Sequence, residues 1–196
     1  MSSNSYSGKV ILVGPSGVGK TSLLNTYITG TFDKNSTPTV SPTAIQVSIT
    51  LDNQISVELA LWDTAGQEKF QSISQMFYRG SNLAIICVLS SQISEIEKWV
   101  QNIREIIPEC IILLAFTKVD LLSTEEQVNS MQKVHPILTQ FNIQEAFLTS
   151  STTGEGITML FAAAAQAIYS VKQKSFELTT QSVDIQTTEK KDNKCC

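Results

Sequence analysis

The stretch Gly14-Pro-Ser-Gly-Val-Gly-Lys-Thr21 decides the fold class of this chain. It matches the pattern G-x-x-x-x-G-K-[ST], follows an apolar run at Lys9–Val13 that predicts a strand, and opens a helical pattern after Gly19. A glycine-rich turn in this position lets successive backbone N–H groups surround phosphate oxygens, and the helix N-terminus adds its positive dipole end. The stretch therefore predicts a phosphate-binding loop in an α/β protein.

Two side chains of this loop have predicted roles of their own. Lys20 is expected to reach the β- and γ-phosphates of a nucleoside triphosphate, and the Thr21 hydroxyl is expected to ligate Mg²⁺. Pro15 lacks a backbone N–H, but it precedes the glycines that form most of the phosphate cradle. The loop residues predicted to bind the nucleotide are Gly14, Ser16, Gly17, Val18, Gly19, Lys20, Thr21 and Ser22.

Short apolar runs alternate with helical patterns along the chain, which is typical of an α/β fold with a mostly parallel sheet. The turn Leu51-Asp-Asn-Gln54 predicts an antiparallel hairpin, whereas longer connections predict crossover helices and parallel pairing. We thus expect a six-stranded sheet with one antiparallel strand and about five helices. The strands after the first are predicted at Ala44–Leu51, Ser56–Trp62, Leu83–Leu89, Cys110–Phe116 and Ala146–Thr149.

The helix boundaries follow from capping and periodicity. Ser123 and Glu126 have the spacing of a capping box, and Pro136 is expected to kink or end the helix that they open. The last helix is predicted to end near Val171, where the sequence becomes polar and loses its periodicity. Helices are predicted after Gly19, Gln67, Gln92, Ser123 and Gly156.

Length and composition predict one globular domain. The chain has 196 residues, of which 42% are hydrophobic and 16% are charged, with a net charge of −4. We expect a flexible N-terminus at residues 1–7, the domain at residues 8–171 and a flexible tail at residues 172–196. The polar N-terminus predicts no secretory signal, the apolar runs are too short to span a bilayer, and no basic stripe indicates nucleic acid. A cytosolic monomer is the expectation.

The four cysteines fall into two groups. Cys87 and Cys110 lie in or beside apolar, β-prone runs and are expected to be buried. Cys195 and Cys196 end the chain after a polar stretch that contains lysines. This terminal pair predicts lipidation rather than a disulfide or a metal site.

A second motif, Trp62-Asp-Thr-Ala-Gly-Gln-Glu68, narrows the class of nucleotide-binding protein. A strand that ends in a carboxylate places Asp63 beside the metal of the nucleotide. Gly66 can donate its backbone N–H to the γ-phosphate, and Gln67 can orient an attacking water. Phosphoryl transfer needs mainly positioning and charge neutralisation, and these groups supply both.

In motif order, residues 8–171 and the terminal cysteine pair resemble the Ras superfamily of small GTPases, and the Rab branch most closely. The segments Q-E-K-F and F-Y-R-G are similar to Rab switch II, and Thr39 occupies the switch I threonine position. The resemblance implies that Thr39 ligates Mg²⁺ in the GTP state and acts in catalysis with Lys20 and Gln67. Two roles for Trp62 remain open. It can pack in the core, or it can lie on the effector face, where Rab proteins often carry a tryptophan at this position.

The resemblance also implies a guanine site that departs from the family pattern. Thr117-Lys-Val-Asp120 stands where the family has N-K-x-D, and Thr149-Ser-Ser-Thr152 stands where it has S-A-K. Thr117 thus replaces an asparagine, so the phosphate site is expected to match the family while base recognition is altered. The residues implied to surround the base are Phe32, Thr117, Lys118, Asp120, Ser150, Ser151 and Thr152.

The function implied by this resemblance is a GTP/GDP switch in vesicular membrane trafficking that hydrolyses Mg-GTP slowly and is activated in trans. The implied partners are an exchange factor, a GTPase-activating protein, a GDP-dissociation inhibitor or escort protein, and effectors. Prenyl groups on Cys195 and Cys196 would bind the protein to the cytoplasmic face of an intracellular membrane, in exchange with the cytosol.

Two other classes of protein share such a loop. A pseudo-GTPase scaffold remains the alternative, although loss of Gln67 or Thr39 would have favoured it and both are present. A small-molecule kinase usually needs an arginine-rich lid, and this chain has only Arg79 and Arg104. We therefore exclude the kinase.

Overall fold

A six-stranded sheet forms the centre of the molecule, in the order β2-β3-β1-β4-β5-β6. The computed structural model describes residues 6–34, 39, 41–52, 54–64 and 76–188, with side chains through residue 176. Neighbouring strands pair in parallel except β2 and β3, which form the predicted antiparallel hairpin. The strands are β1 Tyr6–Val13, β2 Thr43–Thr50, β3 Ser56–Asp63, β4 Leu83–Val88, β5 Ile111–Phe116 and β6 Glu145–Leu148.

Helices connect the strands and cover both faces of the sheet. Residues 76–78 are helical as well, whereas the start of the helix predicted after Gln67 lies outside the described residues. Across the described ranges, no helix has the length and apolar character needed to cross a bilayer. The longer helices are α1 Lys20–Thr29, α2 Ile96–Ile106, α3 Thr124–Gln140 and α4 Ile157–Thr188, and short 3-10 segments lie at Ser90–Glu95 and Val119–Leu121.

The alternating side chains of β1 divide the core into two layers. Val10 and Leu12 are buried in the cluster that contains apolar residues of α1 and α4. Ile11 and Val13 are buried in the opposite cluster, with residues of α2 and α3. Full burial of such side chains stabilises the fold by about 1.5–3 kcal/mol each. Because both faces are covered, β1 is held firmly where it leads into the phosphate-binding loop.

The N-terminal boundary differs from the prediction. Strand β1 begins at Tyr6, which pairs with Val57 of β3, so residues 6 and 7 belong to the sheet and not to a flexible segment. The reason is aromatic packing: the ring of Tyr6 meets the ring of Tyr169 edge to face, with centroids 4.8 Å apart.

Helix α3 begins as predicted but does not end at Pro136. The Ser123 hydroxyl accepts a hydrogen bond from the Glu126 N–H, and the Glu126 carboxylate accepts one from the Ser123 N–H, which confirms the capping box. The helix continues through Pro136 to Gln140. Ile137, the next residue of the helix, is half-buried against the core, and this packing offsets the loss of the hydrogen bond that proline cannot donate.

Helix α4 runs to Thr188, beyond the predicted end near Val171. No glycine or proline interrupts the sequence between Ile157 and Thr188, and glutamine, lysine and glutamate are good helix formers. The loss of apolar periodicity after Val171 indicates the end of burial against the sheet, which does not require the helix to end.

Candidate functional site

The phosphate-binding loop leaves β1 at Gly14, where close approach to the neighbouring strand requires glycine. Gly14 has φ 137°, and a Cβ atom there would lie 2.0 Å from the Cys87 carbonyl oxygen of β4. Gly17 and Gly19 also have positive φ, 76° and 104°. The glycines therefore let the chain curl back over the end of the sheet before α1 begins at Lys20.

Lys20 is held at the centre of this loop and is only 5% exposed. Its ammonium group donates hydrogen bonds to the carbonyl oxygens of Gly14 at 2.8 Å and Pro15 at 2.9 Å. Burial lowers the pKa of Lys20, whereas the nearby Asp63 carboxylate raises it. Burial raises the pKa of the adjacent Cys87 thiol to about 12, so the thiol is neutral at pH 7 and Asp63 is the effective counter-charge.

The three predicted metal ligands meet at one point. The hydroxyls of Thr21 and Thr39 donate to the same carboxylate oxygen of Asp63, at 2.6 and 3.1 Å. Asp63 is 1% exposed, and its other oxygen, Oδ1, has no hydrogen-bond partner among the described residues. Burial raises the pKa of Asp63, and the two hydroxyls and the Lys20 charge oppose that shift. Thr21, Thr39 and Asp63 thus form one oxygen-rich cluster, although they lie 18 to 42 positions apart in the sequence.

The other end of the site carries the predicted base-binding residues. Lys118 adopts φ 58° and its ammonium group donates to the Gly17 carbonyl at 2.8 Å, which ties this end to the phosphate loop. The Ser150 hydroxyl donates to Asp120 Oδ1 at 2.6 Å. Ser150 is buried, so it holds the Asp120 carboxylate from the protein interior.

A cleft of about 440 Å³ joins the two ends. Gly14, Asp63 and Ser150 lie outside its lining and support residues that line it. Thr64 and Leu121 also line the cleft. The sequence pattern does not predict them, although each directly follows a predicted site residue. The predicted residues that line it are Ser16, Gly17, Val18, Gly19, Lys20, Thr21, Ser22, Phe32, Thr39, Thr117, Lys118, Asp120, Ser151 and Thr152. Gly66, Gln67, Cys195 and Cys196 lie outside the described residues.

Comparison with known proteins agrees with this geometry. The family model for the Roc (Ras of Complex) domain of DAPkinase matches residues 9–120. The GTP-binding protein ypt5 of Schizosaccharomyces pombe is 32% identical over 164 residues, which cover 82% of this chain and 77% of the relative. The chain belongs to the Rab/Ypt branch of the Ras-like small GTPases.

Two further relatives extend this comparison. The human Ras-related protein Rab-22A is 31% identical over 158 residues, which cover 73% of this chain and 81% of the relative. The GTP-binding protein YPT52 of Saccharomyces cerevisiae is 29% identical over 194 residues, which cover 84% of this chain and 83% of the relative. The predicted fold class and family are thereby confirmed.

Trp62 has a packing role at the end of β3. Its ring lies 5.6 Å from the Phe77 ring and 4.6 Å from the Lys9 ammonium group. Lys9 also donates hydrogen bonds to the carbonyl oxygens of Phe77 and Arg79. Trp62 stays partly exposed, so the same ring remains accessible to a partner.

Proposed function

We propose that this small GTPase binds Mg-GTP in the cleft and works as a nucleotide-dependent switch in vesicular membrane trafficking. The observation that carries the proposal is the meeting of Thr21, Thr39 and Asp63 beside the buried Lys20. Thr39 lies far from the loop in sequence and is nevertheless part of this cluster, so a ligand at this point can control the position of the switch I segment.

The cluster fits Mg²⁺. Hydroxyl and carboxylate oxygens are the donors that this ion prefers, and Asp63 Oδ1, which has no partner in the part of the chain that the structure describes, would gain one through water. Thr21 and Thr39 would hold the ion and Asp63 would orient its surroundings. When bound, the ion supplies neutralisation of the phosphate charge. Lys20 would exchange its carbonyl partners for β- and γ-phosphate oxygens.

The protein's own groups complete the hydrolysis step. Gln67 orients the water that attacks the γ-phosphate, and Gly66 donates its N–H to the phosphate. Neither Arg79 nor Arg104 lines the cleft, so fast turnover needs an arginine supplied by a GTPase-activating protein. Release of the γ-phosphate then removes the interactions that order the switch segments.

Guanine selectivity rests on Asp120. Its carboxylate can accept hydrogen bonds from the guanine N1–H and from the exocyclic amine, and adenine presents neither donor in that arrangement. Ser150 holds the carboxylate at 2.6 Å, and the Lys118 stem can cover the base. Phe32 lines the same cleft and can pack against the base edge.

The terminal cysteines supply the proposed membrane attachment. One lipid chain gives only marginal binding, so two prenyl groups on Cys195 and Cys196 would be needed for a stable anchor. The protein would then work at the cytoplasmic face of an intracellular membrane, with an exchange factor, an activating protein, a GDP-dissociation inhibitor or escort protein, and effectors. Membership of an active GTPase family and the assembled cluster favour this cycle over a non-cycling scaffold.

Displacement of a fluorescent GDP analogue tests the proposal. We expect unlabelled GDP and GTP to displace the analogue from the wild-type protein, ADP to fail at the same concentration, and chelation of Mg²⁺ to speed release. A protein that does not retain the analogue, or that releases it equally to ADP, would contradict the proposal.

A further inference from the structure

The side chain of Gln127, on helix α3, reaches back to the loop that carries Asp120. Its amide nitrogen Nε2 donates a hydrogen bond to the carbonyl oxygen of Val119 at 3.0 Å. The same oxygen accepts the N–H of Leu122 at 3.0 Å. Gln127 is therefore the side-chain donor that, together with one backbone donor, fixes this carbonyl.

The Val119 carbonyl sets the direction in which the chain enters Asp120. It belongs to the peptide group whose nitrogen is that of Asp120, and because this group is planar, fixing the oxygen fixes the plane. Val119 is fully buried, and its N–H donates to the Thr149 carbonyl at 3.2 Å. The Lys118–Val119 peptide group is thus fixed by Thr149, and the Val119–Asp120 peptide group is oriented by Gln127 together with the Leu122 N–H.

The carboxylate of Asp120 is fixed separately. Ser150 donates to its Oδ1 atom from the buried side of the site. Backbone and carboxylate are therefore held by two side chains from different elements, Gln127 from α3 and Ser150 from the segment after β6. An aspartate held at both ends has little freedom to move away from a base.

The position of Asp120 matters more in this chain because Thr117 contributes less. The Thr117 hydroxyl donates its hydrogen to the Val18 carbonyl at 2.7 Å and is not available as a donor to the base. Recognition of the base edge then depends chiefly on Asp120.

We propose that Gln127 is a positioning residue for guanine recognition: it holds the Val119–Asp120 peptide group so that the Asp120 carboxylate faces the base. The proposal rests on the proposed function, since Asp120 must bind the base for its position to matter. Gln127 is half-buried at a groove that also contains Val128 and Met131, which restricts the rotamers of its side chain.

Dissociation of GDP and of IDP from full-length protein tests this proposal. Inosine keeps the N1–H and lacks the exocyclic amine, so the ratio of IDP to GDP release rates reports how well the carboxylate meets that amine. We expect Gln127→Met, which removes the donor at similar length, to speed GDP release about threefold to tenfold. IDP release should change less, so the ratio should fall.

Two further variants make the result specific. Gln127→Glu also lacks the donor but stays polar, and it should lower the ratio even if Gln127→Met folds poorly. Gln132→Met is the matched control, because Gln132 is an exposed glutamine on the same helix, and its ratio should equal that of the wild type. An unchanged ratio in both Gln127 variants, or equal acceleration of GDP and IDP, would overturn the proposal. Failure of the wild-type protein to prefer GDP over IDP would instead contradict the guanine site itself.

Discussion

The hydroxyl of Thr117 donates a hydrogen bond to the backbone carbonyl of Val18 at 2.7 Å. This bond joins the end of β5 to the phosphate-binding loop, and the Thr117 N–H adds a second tie to the Val88 carbonyl of β4 at 2.9 Å. A hydroxyl has a single hydrogen, whereas the amide of asparagine has two and also an acceptor. Thr117 therefore ties the loops together, and this tie consumes the only donor with which it could reach the base.

Replacing Thr117 with asparagine should slow nucleotide release. The amide can keep the bond to Val18 and add one to the base, and a neutral hydrogen bond contributes roughly 0.5–1.5 kcal/mol. We expect GDP to dissociate about threefold to tenfold more slowly from Thr117→Asn than from the wild-type protein. Stopped-flow measurement with a fluorescent GDP analogue checks this.

The control for that change is Thr117→Val, which keeps the shape and removes the hydroxyl. It leaves the buried Val18 carbonyl without its side-chain donor and should speed GDP release. Equal release from all three proteins would show that Thr117 influences neither the loop nor the base.

Gly14→Ala should destabilise the protein strongly. The added Cβ would meet the Cys87 carbonyl oxygen at 2.0 Å, in addition to backbone strain at φ 137°. We expect a loss of roughly 3 kcal/mol or more in the free energy of unfolding. Urea denaturation at saturating GDP measures it, with Gly30→Ala as control: Gly30 also has positive φ, but no atom of the described residues lies within 4 Å of an added Cβ there. That control should lose only about 1–2 kcal/mol, and equal losses would refute the steric argument.

Gln67→Leu should lower the intrinsic rate of GTP hydrolysis. Ras-like proteins without a partner arginine turn over on the order of 10⁻⁴ s⁻¹, and the glutamine that orients water is part of that rate. Single-turnover assays on protein loaded with GTP compare the variant with wild type. Since leucine removes the polar group but leaves the phosphate loop intact, GDP affinity should be unchanged. Identical hydrolysis rates would show that a group other than Gln67 orients the attacking water.

Membrane attachment should depend on both terminal cysteines. Lys190, Lys191 and Lys194 can add attraction to anionic lipid of about 1 kcal/mol each, offset in part by Glu189 and Asp192, which is too little to anchor the protein without lipid. We expect the protein with Cys195→Ser and Cys196→Ser to move from the membrane fraction to the soluble fraction of cells. Retention on membranes would exclude prenylation as the anchor.

The sheet and the geometry of the glycine-rich loop were predictable because their signals are local. Apolar runs of strand length bounded by turns specified all six strands, and the eight residues from Gly14 to Thr21 contain the loop, its glycines and its lysine. The Thr21–Asp63 contact was predictable as well, since parallel strands bring their carboxyl ends to one edge of the sheet.

Other features depend on tertiary contacts that a linear pattern does not contain. The start of β1 depends on Tyr169, which is distant in sequence, and the continuation of α3 past Pro136 depends on packing of the turn that follows. The role of Gln127 had no signal, because a glutamine on a polar helix face resembles its exposed neighbours until the fold brings it to Val119.

The nucleotide that co-purifies with the protein is the most direct test of the central claim, that the cleft around Lys20 is a guanine-nucleotide site. Wild-type protein and Lys20→Ala, purified in Mg²⁺ and denatured, release their bound nucleotide for chromatography. We expect close to one equivalent of GDP or GTP from the wild type and none from Lys20→Ala, because the variant loses the buried cation that meets the phosphates. Adenine nucleotide on the wild type, or equal guanine nucleotide on both proteins, would contradict the claim.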